Sequence, residues 1–403
     1  MNVNFIKRII LAGIICCIFG CSQTKMPSTF LIDPMTLVAN KQKLKAGDKV
    51  LTEAWTGMKM EAEKALAEGP FSVTEKTKVP PSGDKRDYMS VGPYWWPDTT
   101  KADGLPYIRR DGVTNPERND IKDNAYFSAL CRNIRLLAVA HYFSGEDKYA
   151  AKAAELLRVW FLDETTRMNP NLNYGQAIPG ITEGRGIGLI DTRTSVNLID
   201  GIQLLNDAGQ LSVEVYEGLQ NWFRHFLDWM TTSPIGLDES DEHNNHGTYY
   251  DIQTISMALF LGQKERAVQM IEGFTKPRIE SQLADDGSQP HELARTVSWN
   301  YSQMNLTGFF ELARLAENVN IDLWNYVSPG GKSIKKAYSW MLSYSGDKPW
   351  TYTQISPINK SGFVNLALIA SMKYPDIDSS EGLQIQRNGV TDNLFTLTHI
   401  VSK

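Results

Sequence analysis

Residues 127–138 read Phe127-Ser128-Ala129-Leu130-Cys131-Arg132-Asn133-Ile134-Arg135-Leu136-Leu137-Ala138. Phe127, Leu130, Ile134, Leu137 and Ala138 recur at spacings of three and four, which gathers them on one face of an α-helix and does not fit the two-residue alternation of a half-buried strand. Leu51-Trp55-Met58-Ala62-Leu66 repeats the pattern upstream. The same spacing marks 148–161, 194–206, 213–230, 248–261, 264–283, 301–317, 332–343 and 362–372, and no convincing run of alternating strands interrupts them. Helices of ~10–20 residues joined by loops rich in Gly, Pro and Asn, with no compositional shift to mark a linker, predict antiparallel helix pairs stacked side by side. The expectation is one all-α unit over 34–403. Periodicity alone leaves open whether the pairs close into a ring.

Composition narrows the function. With 42% hydrophobic and 22% charged residues over 403 positions, the chain has enough apolar side chains for a large core and is not a disordered or fibrous protein. Forty-one Lys and Arg against 46 Asp and Glu give a net charge of −5. No long basic run is present, so nucleic acid is not an expected partner.

Two segments break the helical pattern at length. The first, 78–119, carries Gly92-Pro93-Tyr94-Trp95-Trp96-Pro97-Asp98 and then Gly104-Leu105-Pro106-Tyr107-Ile108-Arg109-Arg110-Asp111-Gly112. A long loop in a compact domain is functional or disordered, and three adjacent aromatics are a poor composition for disorder. Tyr94, Trp95 and Trp96 beside Arg109 and Arg110 suit stacking on sugar rings and binding of carboxylates. The second segment, 168–191, includes Gly180-Ile181-Thr182-Glu183-Gly184-Arg185-Gly186-Ile187-Gly188, whose glycines let backbone and Arg185 approach a ligand closely. A hinge or a tight interhelical turn explains the glycines equally well.

Chemistry concentrates in two further stretches. One is Asp238-Glu239-Ser240-Asp241-Glu242-His243-Asn244-Asn245-His246-Gly247, at the entry to a helix. The other runs from Asp286 to Ser302 and holds His291, Glu292, Arg295 and Tyr301. Three of the six histidines fall here. A metal site would use His243 and His246 with Asp241 or Glu242, but no cysteine supports it and the intervening asparagines suit hydrogen bonding to a ligand better. A glycoside hydrolase needs two carboxyl groups facing each other across a cleft, for which Glu183, Asp241 and Glu292 are available. The third reading takes Asn245, His246, Arg295 and Tyr301 together. Removing the C5 proton of a uronic acid spreads charge onto the adjacent carboxylate, so that carboxylate must first be neutralised. Asn, His and Arg do this with directed, partly charge-assisted hydrogen bonds. A tyrosine carries the proton, and a neighbouring Arg or protonated His favours its phenolate.

These residues carry a resemblance. Asn244-Asn245-His246 opening a helix, Arg295 and Tyr301 downstream, and the aromatic loop upstream resemble the alginate lyase family of (α/α)-toroid polysaccharide lyases, from about Asp87 to past Tyr301. The resemblance implies an (α/α) toroid or barrel of six or seven antiparallel helix pairs with long active-site loops. It also implies β-elimination on a uronate polymer, mannuronate-rich alginate first, without metal or organic cofactor. The family roles fall on Asn245, His246 and Arg295 for the carboxylate and on Tyr301 as acid and base. His246 serves as base where the proton lies on the opposite ring face. Tyr94, Trp95, Trp96, Arg109, Arg110, Arg185, His243, Asn244 and His291 are the expected substrate contacts. Rival readings are a hydrolase on a helical toroid and a non-catalytic polysaccharide-binding lipoprotein.

The N-terminus reads as an address. Lys7 and Arg8 precede an apolar run, 9–20, that is too short to span a bilayer and fits a secretory signal. It ends Phe19-Gly20-Cys21, which resembles the lipobox of bacterial lipoproteins, with Cys21 as the lipidated residue. Residues 1–20 are then a signal peptide and 21–33 a tether. The expected product is exported, held by lipid in the periplasm or at the outer membrane, and monomeric. Cys16 and Cys17 leave with the signal, so Cys131 alone remains in the fold, as a buried small hydrophobe with no partner for a disulfide.

Overall fold

The computed structural model describes residues 26–385 and 392–399, so the expected signal and Cys21 lie outside the described residues. The first half contains α1 (Pro34–Lys45), α2 (Lys49–Ala65), α3 (Asp123–Ser144), α4 (Asp147–Phe161), α5 (Ser195–Asp207), α6 (Val213–Thr232), α7 (Pro234–Ser240) and α8 (Asn245–Phe260). There follow α9 (Lys264–Met270), α10 (Lys276–Gln282), α11 (Pro290–Leu293), α12 (Ser298–Glu317), α13 (Ile334–Leu342), α14 (Phe363–Lys373), α15 (Ser380–Gln384) and α16 (Asn393–His399).

Burial sorts the helices into layers. Every residue of α8 from Gly247 to Phe260 is buried, as befits an inner helix wrapped on all sides. In α4 and α6 only one face is buried, Tyr149, Ala153, Leu156, Leu157 and Trp160 in one, Val215, Leu219, Trp222, Phe226 and Met230 in the other. Those helices lie outside. α3, α5, α8 and α12 pack in succession, α12 touches α14, and α16 packs on α1 and α2, which returns to α3. The fold is an (α/α) toroid.

Sequence dictates the helix ends. Asp33 before Pro34, Ser212, Ser233 before Pro234, and Ser333 each accept a backbone N–H of the following turn. Gly145, at φ 74°, stops α3 in the left-handed region. The expected helix over 264–283 is instead interrupted by a π turn at Ile271–Thr275. Pro277 has no N–H for the carbonyl of Gly273, and the wider turn accommodates the loss. Missing from the expectation were α1, α7, α11, α15 and α16; the last four are of seven residues or fewer and too short for a readable period, and α1 buries only Thr36, Leu37 and Asn40, which repeat no apolar spacing.

The two long loops meet. β1 (Met89–Val91) pairs in parallel with β4 (Tyr174–Ala177), and β2 (Trp95–Trp96) pairs antiparallel with β3 (Ile108–Arg109). A buried ion pair fixes the base of the first loop. The Lys76 ammonium donates to Asp123 Oδ2 at 2.7 Å and to the carbonyls of Val73 and Lys85, and Asp123 also accepts the Met89 N–H.

The tether expected over 21–33 is corrected at its inner end. The backbone N–H groups of Phe30, Leu31 and Ile32 donate to the carboxylate of Asp200 on α5 at 2.6–3.2 Å. Leu31 and Ile32 are buried, and Arg314 on α12 and Asn318 just past its end hold the carbonyls of Leu31 and Phe30. An apolar pair beside three free backbone donors gives this segment reason to dock.

Candidate active site

A cavity of 760 Å³ opens where the inner helices begin. Its wall takes Asn124 and Ser128 from the first turns of α3, Arg193 just ahead of α5, Asn245 and His246 from the start of α8, and Asn300, Tyr301 and Met304 from the start of α12. Four helix N-termini therefore face one space, and their dipoles favour an anionic occupant. Arg109, Arg118, Arg185, Arg193 and Arg295 line it, against the acidic side chains of Asp191 and Glu242.

Asn244 caps α8 by accepting the His246 N–H at 2.8 Å, which sets Asn245 and His246 on the first turn. Both are backed by buried carboxylates. The Asn245 backbone N–H and side-chain amide donate to Glu292 at 2.6–3.1 Å. His246 Nδ1 lies 2.8 Å from Glu239 Oε1, so the ring's other nitrogen is left for the cavity that the ring lines. Burial, the largest single influence, pulls the imidazole toward the neutral form, but the charge and hydrogen bond of Glu239 with the charges of Glu242 and Glu292 together outweigh it and the net shift is upward. Burial likewise raises Glu239, to about 7, and Glu292.

Tyr301 lines the same cavity. Its hydroxyl is 2.8 Å from Arg295 Nη2 and 2.8 Å from the Tyr94 hydroxyl, and the guanidinium lies 3.8 Å from the centre of its ring. Arg295 is itself held by Asp111, which accepts at 2.8 and 3.2 Å and also receives Arg109 and Thr296. The expected phenolate is corrected. Burial and Tyr94 push the phenol well above its ordinary value, and Arg295 offsets them only in part, so the resting side chain keeps its proton.

Of the expected substrate contacts, Tyr94, Trp95, Arg109, Arg185 and Asn244 line the cavity. Arg185 is oriented by Gln176, through its carbonyl at 3.0 Å and its side chain at 3.2 Å, and lies over the Trp95 ring. Four do not line it. Trp96 stacks with Arg110 at 5.2 Å and donates to the Val113 carbonyl, because alternation along β2 turns adjacent tryptophans to opposite sides. His243 and His291 pack edge to face at 4.5 Å, outside the cavity wall. The carboxylates a hydrolase would need also fail to face each other: Glu183 and Asp241 are exposed away from the cavity, and Glu292 is turned to Asn245.

Sequence reading gave no role to Glu239, Asp111, Gln176, Arg118 or Arg193. Glu239 stands in a polar run at a helix entry, where nothing local sets it apart from its acidic neighbours. The overlooked signal is Ser233-Pro234, a cap and first-turn pair that starts α7 and turns one carboxylate of the run inward.

The alginate lyase family profile matches residues 72–351. An alginate lyase from Bacteroides ovatus superposes with a TM-score of 0.89 at 37% identity, over 93% of this chain and 100% of that one. A tyrosine-to-phenylalanine variant of alginate lyase A1-III complexed with tetrasaccharide gives 0.60 at 15% identity, over 94% and 98%. Alginate lyase A1-III from Sphingomonas species A1 gives 0.51 at 16%, over 92% and 95%. The last two speak for the fold alone. No curated protein matches the chain. A helical toroid with an arginine-lined cavity and these likenesses define a polysaccharide lyase. The chain belongs to the alginate lyase family.

Proposed function

We propose that this lyase cleaves alginate, preferring mannuronate-rich stretches, by β-elimination at Tyr301. Asn245, His246 and Arg295 neutralise the uronate carboxylate, which lowers the cost of ionising C5. The C5–H and C4–O4 bonds break, a C4=C5 double bond forms, and the C5 proton passes through the Tyr301 hydroxyl to O4. In a β-mannuronate the two groups leave from one side, so a single phenol serves both ends of the transfer. The observation that carries the reading is the meeting of the Tyr301 hydroxyl, the Arg295 guanidinium and the His246 ring in one cavity, with 2.8 Å between the first two. The likeness to an alginate lyase at 37% identity supports the substrate class.

The mature chain is exported and carried on a lipid at Cys21. At ~3.3–3.6 Å per residue, at most about 20 Å of extended chain separates that cysteine from Pro27. No helix among the described residues is long and apolar enough to cross a membrane. The deciding experiment incubates purified protein with polymannuronate, polyguluronate, glucuronan and chondroitin and follows absorbance of the conjugated product. Polymannuronate should give the fastest rise. Reducing sugar without the chromophore would indicate a hydrolase, and tight binding without turnover a capture protein.

A further inference from the structure

Glu239 is 0% exposed, contacts one hydrogen-bonding partner, His246, and leaves Oε2 without any partner among the described residues. A buried carboxylate so placed has no solvent and one counter-group, which makes its pairing with the ring strong and directional. The side chain reaches His246 from α7, a helix fixed between α6, α8 and the turn at 186–192. Other charged groups around the pair are Asp238 and Glu242 from the same acidic run, Glu292 from α11, and Arg185 from the second long loop; the Tyr250 phenol is on α8. Arg278 on α10 holds the carbonyls of Ser240 and Glu242 and is itself paired with Asp251; carboxylates therefore outnumber the two arginines, and the surroundings favour a positive ring.

We propose that Glu239 is a positioning residue that holds His246 as an imidazolium with Nε2–H turned to the substrate carboxylate, and so bars His246 from accepting a proton. The inference rests on the elimination reading above and extends it to epimer choice. In a mannuronate, C5–H and O4 lie on one side and Tyr301 moves the proton alone. In a guluronate they lie on opposite sides, and a second base is needed to take the C5 proton while Tyr301 protonates O4. The nearest candidate for that base is His246 Nε2, whose lone pair is occupied by a proton as long as Glu239 is a carboxylate. The chain is thereby confined to syn elimination.

Glu239→Gln keeps the shape and removes the charge. Its neutral ring donates Nδ1–H to the amide oxygen and exposes a basic Nε2. On polymannuronate, the pH at which kcat/KM stops rising should move down by about one unit or more, and the plateau should fall about tenfold per unit moved. The ratio of polyguluronate to polymannuronate turnover should rise about tenfold. Histidine 15N shifts read the same event directly, since wild-type His246 should stay doubly protonated above the ordinary value of about 6.5 and the variant should not. If the folded variant keeps the wild-type pH break, epimer ratio and His246 titration, Glu239 has no such role. Should the variant not fold, the wild-type titration decides alone: a ring that titrates at its ordinary value overturns the proposal. Failure of wild type on every polyuronate would remove the elimination reading, while the histidine titration would still report on the dyad.

Discussion

Tyr301 is the residue on which the proposed elimination turns, and its surroundings set two expectations. Tyr301→Phe deletes the hydroxyl that bridges Arg295 and Tyr94 without emptying the ring's place. Turnover of polymannuronate should fall about 10²–10⁴-fold, the usual worth of a positioned acid–base group, with KM and the melting curve little changed. Wild-type rates would show that another group moves the proton. The second expectation concerns pH. A base must be deprotonated, and the Tyr301 phenol is raised, so the competent form grows as pH rises. His246 must stay protonated, and its value is also raised but lies lower, so above it the two requirements cancel. The product is a kcat/KM that climbs through acid and neutral pH and then levels off above the ordinary histidine range. A fall beginning near pH 6.5 would contradict this assignment of charge. Asn245, His246, Arg295 and Tyr301, which the structure brings to one cavity, could be singled out from sequence because their residue types are unusual in combination. Glu239 and Asp111 could not be, since an acidic residue in a polar run looks the same whether it faces water or a histidine.

Elements explain why the site stays open. The first long loop must stand over the cavity, yet its β-pairs are only two and three residues long. Its footing is Lys76 with Asp123, both side chains 0% exposed, tying the loop's start and the N–H of Met89 to the first turn of α3. Burial raises the Asp123 carboxyl, to about 6, and Lys76 offsets that only in part. Asp123→Ala would strand a buried ammonium, a loss worth about 3–5 kcal/mol where one partner of such a pair is removed. The measurement is unfolding in urea, with Lys76→Met, Asp123→Leu as the control. The double variant should recover much of the loss, and equal losses in single and double variants would mean the pair adds nothing. The helices were legible because three-and-four spacing is a tertiary demand written into long segments, as in α4 and α6. Strand pairs of two residues leave no such trace, and Trp95-Trp96 looked like a single aromatic surface although β2 splits them.

At the scale of the whole molecule, closure of the ring was the feature that no local pattern could give. It depends on contacts between chain ends, with α16 on α1 and α2, and the segment before α1 lying across α5 and α12. That segment was expected to be a tether, and a short apolar run such as Phe30-Leu31-Ile32 carries no period that would mark it as docked. Asp200 decides otherwise: it is a carboxylate that burial pushes upward and that three successive backbone N–H groups stabilise. A chain beginning at residue 33 would keep every helix but take from Asp200 its three backbone donors together with the cover of Leu31 and Ile32. It should lose about 3–5 kcal/mol of stability, visible as an earlier urea midpoint. Asp200→Asn in the shortened chain should restore part of the loss, because the uncompensated charge is then absent, whereas the same change in the full-length protein should be destabilising. This reversal of sign separates an electrostatic clamp from simple packing by Leu31 and Ile32, for which the Asn substitution would do nothing in either background. Equal stability of long and short chains would show that the toroid closes without its N-terminal strap.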